Sequence, residues 1–371
     1  MNNSTITRIP AFDQVRTMAV ISMIISHVAL MFGSGEACST LIGRFMDSFC
    51  GSAPAAPVFM LLMGIFFIFP KDKPFSVKFI RGIKLFALGI LLNIVRQVIP
   101  FFILLTYAPT EFDRIREMLQ TTRSDIFWRL LYNLDILSFA GIAFMLLALL
   151  QIFIKKTYQW IIVGAVAVFS APYLWGIGEN MGAVFYFFQP LWGRALIQNV
   201  PTDTPFPAFP WLIYPLAGLL IGRFLLAGVK EPEIFKGMLQ TGLSLATAGA
   251  VLIAVFGMKQ FGDYYRMYAG GTFLVVSFAL LWTAFFMWIT RIGLFQATLT
   301  KLSFWSENIT LVYCVQWFLF GFSVLLLHFR RVDNPWILVA LTPGFFFLTY
   351  LLSKLLLLST RFMNGFRWFT K

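Results

Sequence analysis

Apolar residues run along this chain in stretches of about 20, the length that spans a roughly 30 Å hydrocarbon core as a helix. Ten such stretches cover residues 15–33, 54–70, 83–106, 134–154, 158–176, 209–228, 238–257, 271–290, 306–328 and 336–358. The strands of a membrane barrel would alternate apolar and polar positions, whereas these runs stay apolar throughout, so they predict helices. Short linkers join them, apart from two longer polar segments at 107–133 and 177–208. With no low-complexity tract, internal repeat or soluble insertion, residues 1–371 read as a single membrane domain.

Composition agrees with the pattern. The chain is 59% hydrophobic and 12% charged, against roughly 45–50% apolar and 25% charged in a soluble domain. Too few charges remain to clothe a water-exposed surface, which excludes a soluble enzyme, a disordered chain and a fibre. The expected fold is an all-α polytopic membrane protein of about ten transmembrane helices. The formal net charge of +13 is scattered among apolar segments, so it points to an anionic lipid face or anionic ligand and not to nucleic acid.

The basic residues also orient the chain. With the N-terminus in the cytoplasm, the inside linkers and adjoining helix ends hold 18 of the 29 basic residues. The positive-inside rule therefore places the N- and C-termini in the cytoplasm. Four of the remaining basic residues, Arg114, Arg116, Arg123 and Arg129, share segment 107–133 with Glu111, Asp113, Glu117 and Asp125, a mixture that predicts amphipathic surface helices. The first run could be read as a secretory leader, but it carries a histidine and two serines, and Glu36 spoils the one candidate cleavage region. Cys38 and Cys50 fall in the first external loop, where they could be bridged or could serve as two small apolar residues.

Ionisable side chains are costly at membrane depth, so each one there carries a functional hypothesis. The first run offers Asp13, Arg16 and His27. From Arg16 to His27 is eleven residues, a rotation of about three turns plus 20° and a rise of about 16 Å. The three residues share one face, with the arginine near the cytoplasmic surface and the histidine near mid-membrane. The other histidine, His328, sits beside Arg330 and Arg331 at the outer end of the ninth run, where an interfacial position accounts for it. An unperturbed imidazole titrates near neutrality, so His27 could act as a general base on a hydroxyl or amine nucleophile; the alternative is a neutral imidazole bonded to a neighbouring helix. Asp13 and Arg16 can pair at i, i+3 and fix the helix entry, with Arg16 also able to face an anion.

Further polar residues at depth are Asn93, Arg96, Asp135, Glu307, Asn308, Thr310 and Gln316, each taken singly as a contact between helices. Between the second and third runs lie Lys71, Lys73, Lys78, Arg81 and Lys84. Ordinary positive-inside charge accounts for such a linker; alternatively Lys78, Arg81 and Lys84, at i, i+3 and i+6, spread a cationic face toward nucleotide phosphates. Where the second long external segment enters the sixth run stand Pro207, Phe209, Pro210, Trp211 and Tyr214. Those rings could stack on a sugar or belong to an interfacial aromatic belt. No Gly-x-Ser-x-Gly elbow, His-Glu-x-x-His, Cys-x-x-Cys or Walker loop occurs, so hydrolase, metal and nucleotide-hydrolysing readings lose their usual support.

Several segments carry a family likeness. Arg8-Ile-Pro-Ala-Phe-Asp13-Gln-Val-Arg16 with His27, Ala56-Pro57-Val-Phe59 before Gly64, and Asn133-Leu-Asp135 follow one another along the chain. Phe206-Pro207-Ala-Phe209-Pro210-Trp211 with Tyr214, Gly218 and Gly222-Arg223 comes next, and then Asn308 to Tyr313 with Trp317. In that order they resemble the transmembrane acyltransferase superfamily, which includes the acyltransferase-3 proteins and the relatives of heparan-alpha-glucosaminide N-acetyltransferase. The resemblance implies transfer of an acetyl group from cytoplasmic acetyl-CoA to a sugar or glycan acceptor on the far side, with His27 as catalytic base or acyl carrier. Together with the charge and aromatic placements above, the expected site has Arg16, Lys78, Arg81 and Lys84 on the donor side, Asp135, Phe209, Trp211, Tyr214 and Asn308 at the acceptor, Asp13 as structural, and no metal. In the lysosomal enzyme the first-helix position is asparagine and the active histidine follows in the luminal loop. Here loop 34–53 has no histidine and the late-helix histidine of relatives stands as Gln316, so either His27 serves or the chemistry differs. The expected setting is a multi-pass position in a bacterial inner (plasma) membrane, in contact with lipid, with a homodimer left open. The competing expectation is a transporter or flippase of an envelope glycolipid without covalent chemistry, for which His27 and Arg16 would line the path.

Overall fold

Helix α1 (Pro10–Phe32) opens on a proline, whose missing N–H costs nothing in a first turn. It then buries side chains on two sides. Ala11, Phe12, Val15 and Ala19 join one core with residues of the second, fourth and sixth helices, while Val20, Ile24, Val28 and Phe32 join another with the last two. In this computed structural model, which describes residues 9–69, 73–107, 109–110, 113, 123–195, 205–293, 303–326 and 331–359, nine further apolar helices surround α1. They are α2 (Ala56–Ile68), α3 (Phe75–Tyr107), α4 (Ile136–Phe153), α5 (Thr157–Leu174), α6 (Ala208–Leu226), α7 (Glu231–Phe256), α8 (Ala269–Arg291), α9 (Ile309–Leu326) and α10 (Pro335–Leu358).

Eight helices are long and apolar enough to cross a membrane, and α2 and α9 are shorter apolar helices. Among the described residues there is no strand, only an isolated bridge between Gly33 and Val332. The chain is an all-α polytopic membrane protein. Outward-facing side chains such as Val251 and Val255 on α7, Val166 and Phe169 on α5, and Phe347 on α10 are apolar, as a surface against hydrocarbon requires.

The ten predicted runs match the ten helices, with shifted starts. Helix α3 begins at Phe75, eight residues before its apolar run, because Lys78, Arg81 and Lys84 lower the hydropathy without interrupting the helical repeat. Helix α7 likewise begins at Glu231, on a polar first turn. Of segment 107–133, Arg123–Leu131 is helical. The calls on Glu111, Arg114, Arg116, Glu117, Lys71, His328 and Arg330 lie outside the described residues. Cys38 and Cys50 are free thiols.

Bilayer helices pack by backbone approach more than by hydrophobic drive, and small residues permit it. The tightest approach joins α2 and α6. A Cβ on Gly64 would meet the Pro215 carbonyl oxygen at 2.0 Å, and one on Gly218 would meet that of Leu61 at 1.8 Å. Only glycine allows this contact.

Candidate functional site

The face of α1 that carries Arg16 and His27 looks toward α9 and the segment that leads into it. Arg16 Nη1 donates to the Ser306 carbonyl oxygen at 3.4 Å, and the His27 ring meets the Gln316 side chain, Nδ1 to amide Nε2, at 2.9 Å. Aromatic rings enclose the imidazole: its centroid lies 4.2 Å from that of Trp317 and 5.8 Å from that of Phe320. A narrow cavity adjoins this pair, lined by Val20, Met23, Phe59, Thr310, Tyr313 and Gln316 among others.

Trp317 connects His27 to a buried ionic cluster. The Arg96 guanidinium lies 4.2 Å from the Trp317 ring centroid and 3.4 Å from Asp135 Oδ2. Arg96 sits in a π-helical turn, Ile94–Val98, inside α3. Such single turns recur at functional sites because they re-aim a side chain within a continuous helix. The guanidinium also donates twice to Asn93 Oδ1, at 2.9 and 3.1 Å, while Asn93 Nδ2 donates to the carbonyls of Leu131 and Asn133. Asp135 uses its other oxygen to cap α4, accepting from the backbone N–H groups of Leu137 and Ser138, and Oδ2 also accepts from the Tyr313 hydroxyl at 3.0 Å. A buried charge is tolerable when it is paired and its remaining hydrogen-bond positions are filled, as here.

At the end of the bundle where α1 begins, three predicted donor-side cations each cover an aromatic ring. The Arg16 guanidinium covers Phe66 at 4.3 Å and Lys78 Nζ covers Phe67 at 4.8 Å, while Arg81 covers Phe144 at 5.1 Å. Phe67 and Phe144 are themselves in edge contact at 5.2 Å. Lys78 turns inward to donate to Gln151 Oε1 at 3.1 Å, and Arg81 Nε is buried with no hydrogen-bond partner among the described residues. Lys84 stands half-buried on the same helix. Arg16 also lies 3.9 Å from Asp13, the i, i+3 spacing.

The aromatic residues at the head of α6 occupy the opposite end. Trp211 and Tyr214 are fully buried and pack with Phe206, Tyr264 and Tyr265, the Trp211 ring lying 4.7 Å from Phe206 and 5.0 Å from Tyr214. The Trp211 indole N–H donates to the Tyr265 carbonyl at 2.7 Å. These rings therefore face one another, not a membrane interface. Phe209 is half-buried against the same core. Asn308 stands just before α9, its amide donating to the Phe304 carbonyl at 3.0 Å. It lies apart from the aromatic cluster, two residues beyond the Ser306 carbonyl that Arg16 reaches.

Two features were not legible as sites. Arg96, Asp135, Tyr313 and Trp317 come from three helices, and a single polar residue at depth does not announce its partner. Arg266 lies in the loop before α8 and is fully buried. It pairs with Asp263 and donates to the carbonyls of Arg194 and Ala195, which ties the loop before α8 to the segment that precedes α6, beside Trp211. Among the described residues no group of three or more His, Cys, Asp or Glu side chains is placed to hold a metal.

No curated protein and no solved structure matches the chain. A family model, the catalytic region of heparan-alpha-glucosaminide N-acetyltransferase, matches residues 8–261, which include Arg16, His27, Arg96, Asp135 and, of the aromatic cluster, Phe206, Trp211 and Tyr214. That span is more than half of the chain and stops short of α9, so the Gln316 and Trp317 neighbours of His27 lie beyond it. On this match the chain belongs to the heparan-alpha-glucosaminide N-acetyltransferase family of transmembrane acetyltransferases.

Proposed function

We propose that this protein moves an acetyl group from cytoplasmic acetyl-CoA to a sugar or glycan acceptor on the extracytoplasmic side, with His27 as the base or transient acyl carrier. The observation that carries the reading is the position of His27. It is an imidazole on the inward face of α1, about 16 Å along the helix from Arg16 and hydrogen-bonded to Gln316, which lines a narrow cavity. With both termini in the cytoplasm, the end bearing Arg16, Lys78 and Arg81 faces the donor, whose phosphates suit a cationic rim. The pantetheine arm then reaches along α1. Its thioester carbon meets the acceptor oxygen or nitrogen beside His27, which takes the proton as the new bond forms and CoA leaves as the thiolate. The Arg96 and Asp135 cluster holds α3, α4 and α9 around that point, and the buried rings at Trp211 shape the acceptor end.

The test is incubation of the purified protein in detergent with radiolabelled acetyl-CoA and total cell-envelope glycolipid. Labelled product, absent without the protein, supports transfer. If no thioester is consumed while labelled glycolipid crosses proteoliposome membranes, the transporter reading replaces it.

A further inference from the structure

Gln316 is 1% exposed and hydrogen-bonds the His27 ring. An imidazole with one proton has one donor and one acceptor nitrogen, and whatever bonds the first decides the chemistry of the second. With the amide Nε2 directed at Nδ1, the amide donates. Nδ1 is then the acceptor and the ring proton sits on Nε2. In that arrangement His27 has no free nitrogen to act as base. The same arrangement leaves the Gln316 Oε1 buried with no hydrogen-bond partner among the described residues.

The two ends of a carboxamide have nearly the same shape, so a half-turn of the amide fits the same space. Oε1 then accepts from Nδ1–H, and the imidazole proton moves from Nε2 to Nδ1 by exchange. The ring still carries one proton and no charge, and the Nε2 lone pair is bare. The amide NH2 now stands where the oxygen stood and requires an acceptor, because an unpaired buried donor is as costly as an unpaired acceptor. Gln316 lines the cavity together with apolar side chains including Val20, Met23 and Phe59; of the two hydroxyls in the same lining, that of Tyr313 is already committed to Asp135 and that of Thr310 stands six residues back, about 9 Å of helix rise from Gln316. An acetyl group supplies what is missing, a carbonyl oxygen that can accept and a methyl that suits the apolar wall.

We propose that Gln316 is a positioning residue that sets which nitrogen of His27 carries the proton, and that an acyl carbonyl in the adjoining cavity selects the orientation in which Nε2 is free. The donor thereby arms the base. The inference rests on His27 being that base.

The chain has two histidines, so 15N-histidine NMR of the full-length protein in nanodiscs can follow each ring, with the His27→Asn spectrum giving the assignment. The expected result is an Nε2–H ring in the free protein, converting to Nδ1–H on addition of a ketone analogue of acetyl-CoA that keeps the carbonyl but cannot transfer it. CoA alone should cause no change. Gln316→Met should abolish the conversion and lower kcat by about 10²-fold at an unchanged KM for acetyl-CoA. Gln316→Glu should hold the Nδ1–H form without ligand and restore transfer, its acid limb moved to higher pH because a carboxylate favours the imidazolium. A wild-type ring whose tautomer is the same with and without the analogue overturns the inference, as does Gln316→Met turnover within twofold of wild type. Should the wild type transfer no acetyl group while its tautomer follows the analogue, Gln316 still sets the His27 tautomer, but the arming of a catalytic base is overturned together with the proposed function.

Discussion

Arg96 Nη1 lies 3.4 Å from Asp135 Oδ2, and both side chains are buried, 4% and 5% exposed. Removing one member of such a pair strands the other charge, which typically costs about 3–5 kcal/mol, whereas replacing both by apolar groups is often neutral. Asp135→Asn retains an oxygen to cap α4 but leaves Arg96 without its counter-charge. The expected outcome is a loss of about 3 kcal/mol or more for Asp135→Asn and for Arg96→Met. The double variant Arg96→Met with Asp135→Leu should recover most of it. Unfolding by denaturant in detergent checks this, and additive losses in the double variant would contradict the pairing.

His27→Asn keeps the size and hydrogen-bonding capacity of the side chain but cannot take a proton. Transfer should fall by roughly 10²–10⁴-fold, with unfolding midpoint and CoA affinity near those of wild type. Near-normal turnover would return His27 to the role of a neutral contact between α1 and α9.

For the cationic end, Arg81→Ala and Lys84→Ala should weaken acetyl-CoA binding, most at low salt, and leave acceptor affinity unchanged. Lys78→Ala is a poorer probe, since its stem packs over Phe67 and its ammonium donates to Gln151, so packing is lost along with charge. Calorimetric titration with CoA and dephospho-CoA separates the phosphate contribution; equal affinity of wild type and variants for both ligands would leave the linker as a topology signal.

Trp211 is buried among five other rings, those of Phe139, Phe206, Tyr214, Tyr264 and Tyr265, with its indole N–H committed to a carbonyl. Trp211→Ala should cost about 3–5 kcal/mol of stability. Trp211→Phe should cost less, because it gives up the hydrogen bond and part of the ring. The acceptor KM should rise in both while the KM for acetyl-CoA holds. If both KM values rise together, the cluster supports the whole bundle and not the acceptor end.

The helices were legible because the bilayer enforces a length and a polarity that show in hydropathy alone, and the shared face of Arg16 and His27 followed from helical geometry. Pairings across the bundle were not. Gln316 stands 289 residues from His27, and Tyr313 stands 178 from Asp135. Neither spacing carries a periodic signal. The inward turn of Lys78 was equally hidden, since a lysine in a linker reads as solvated charge until Gln151 is placed beside it. Trp211 illustrates the reverse case: an aromatic residue at the end of a hydrophobic run looks like an interfacial anchor, and only the fold over of residues 257–268 encloses it.

The backbone contact of Gly64 with Pro215 and Gly218 with Leu61 has a mechanical consequence. Packed interiors deform along seams, not uniformly. Helices α2 and α6 touch main chain to main chain and have no slack between them, so α2 cannot tilt without carrying α6. One end of this stiff plank bears Phe66 and Phe67 under the cations, and the other bears Trp211 and Tyr214. A displacement started at the cationic end is thus delivered to the aromatic end as a lever delivers it. The compliant seam runs instead between α1 and α9, where at His27 the contact is side chain to side chain.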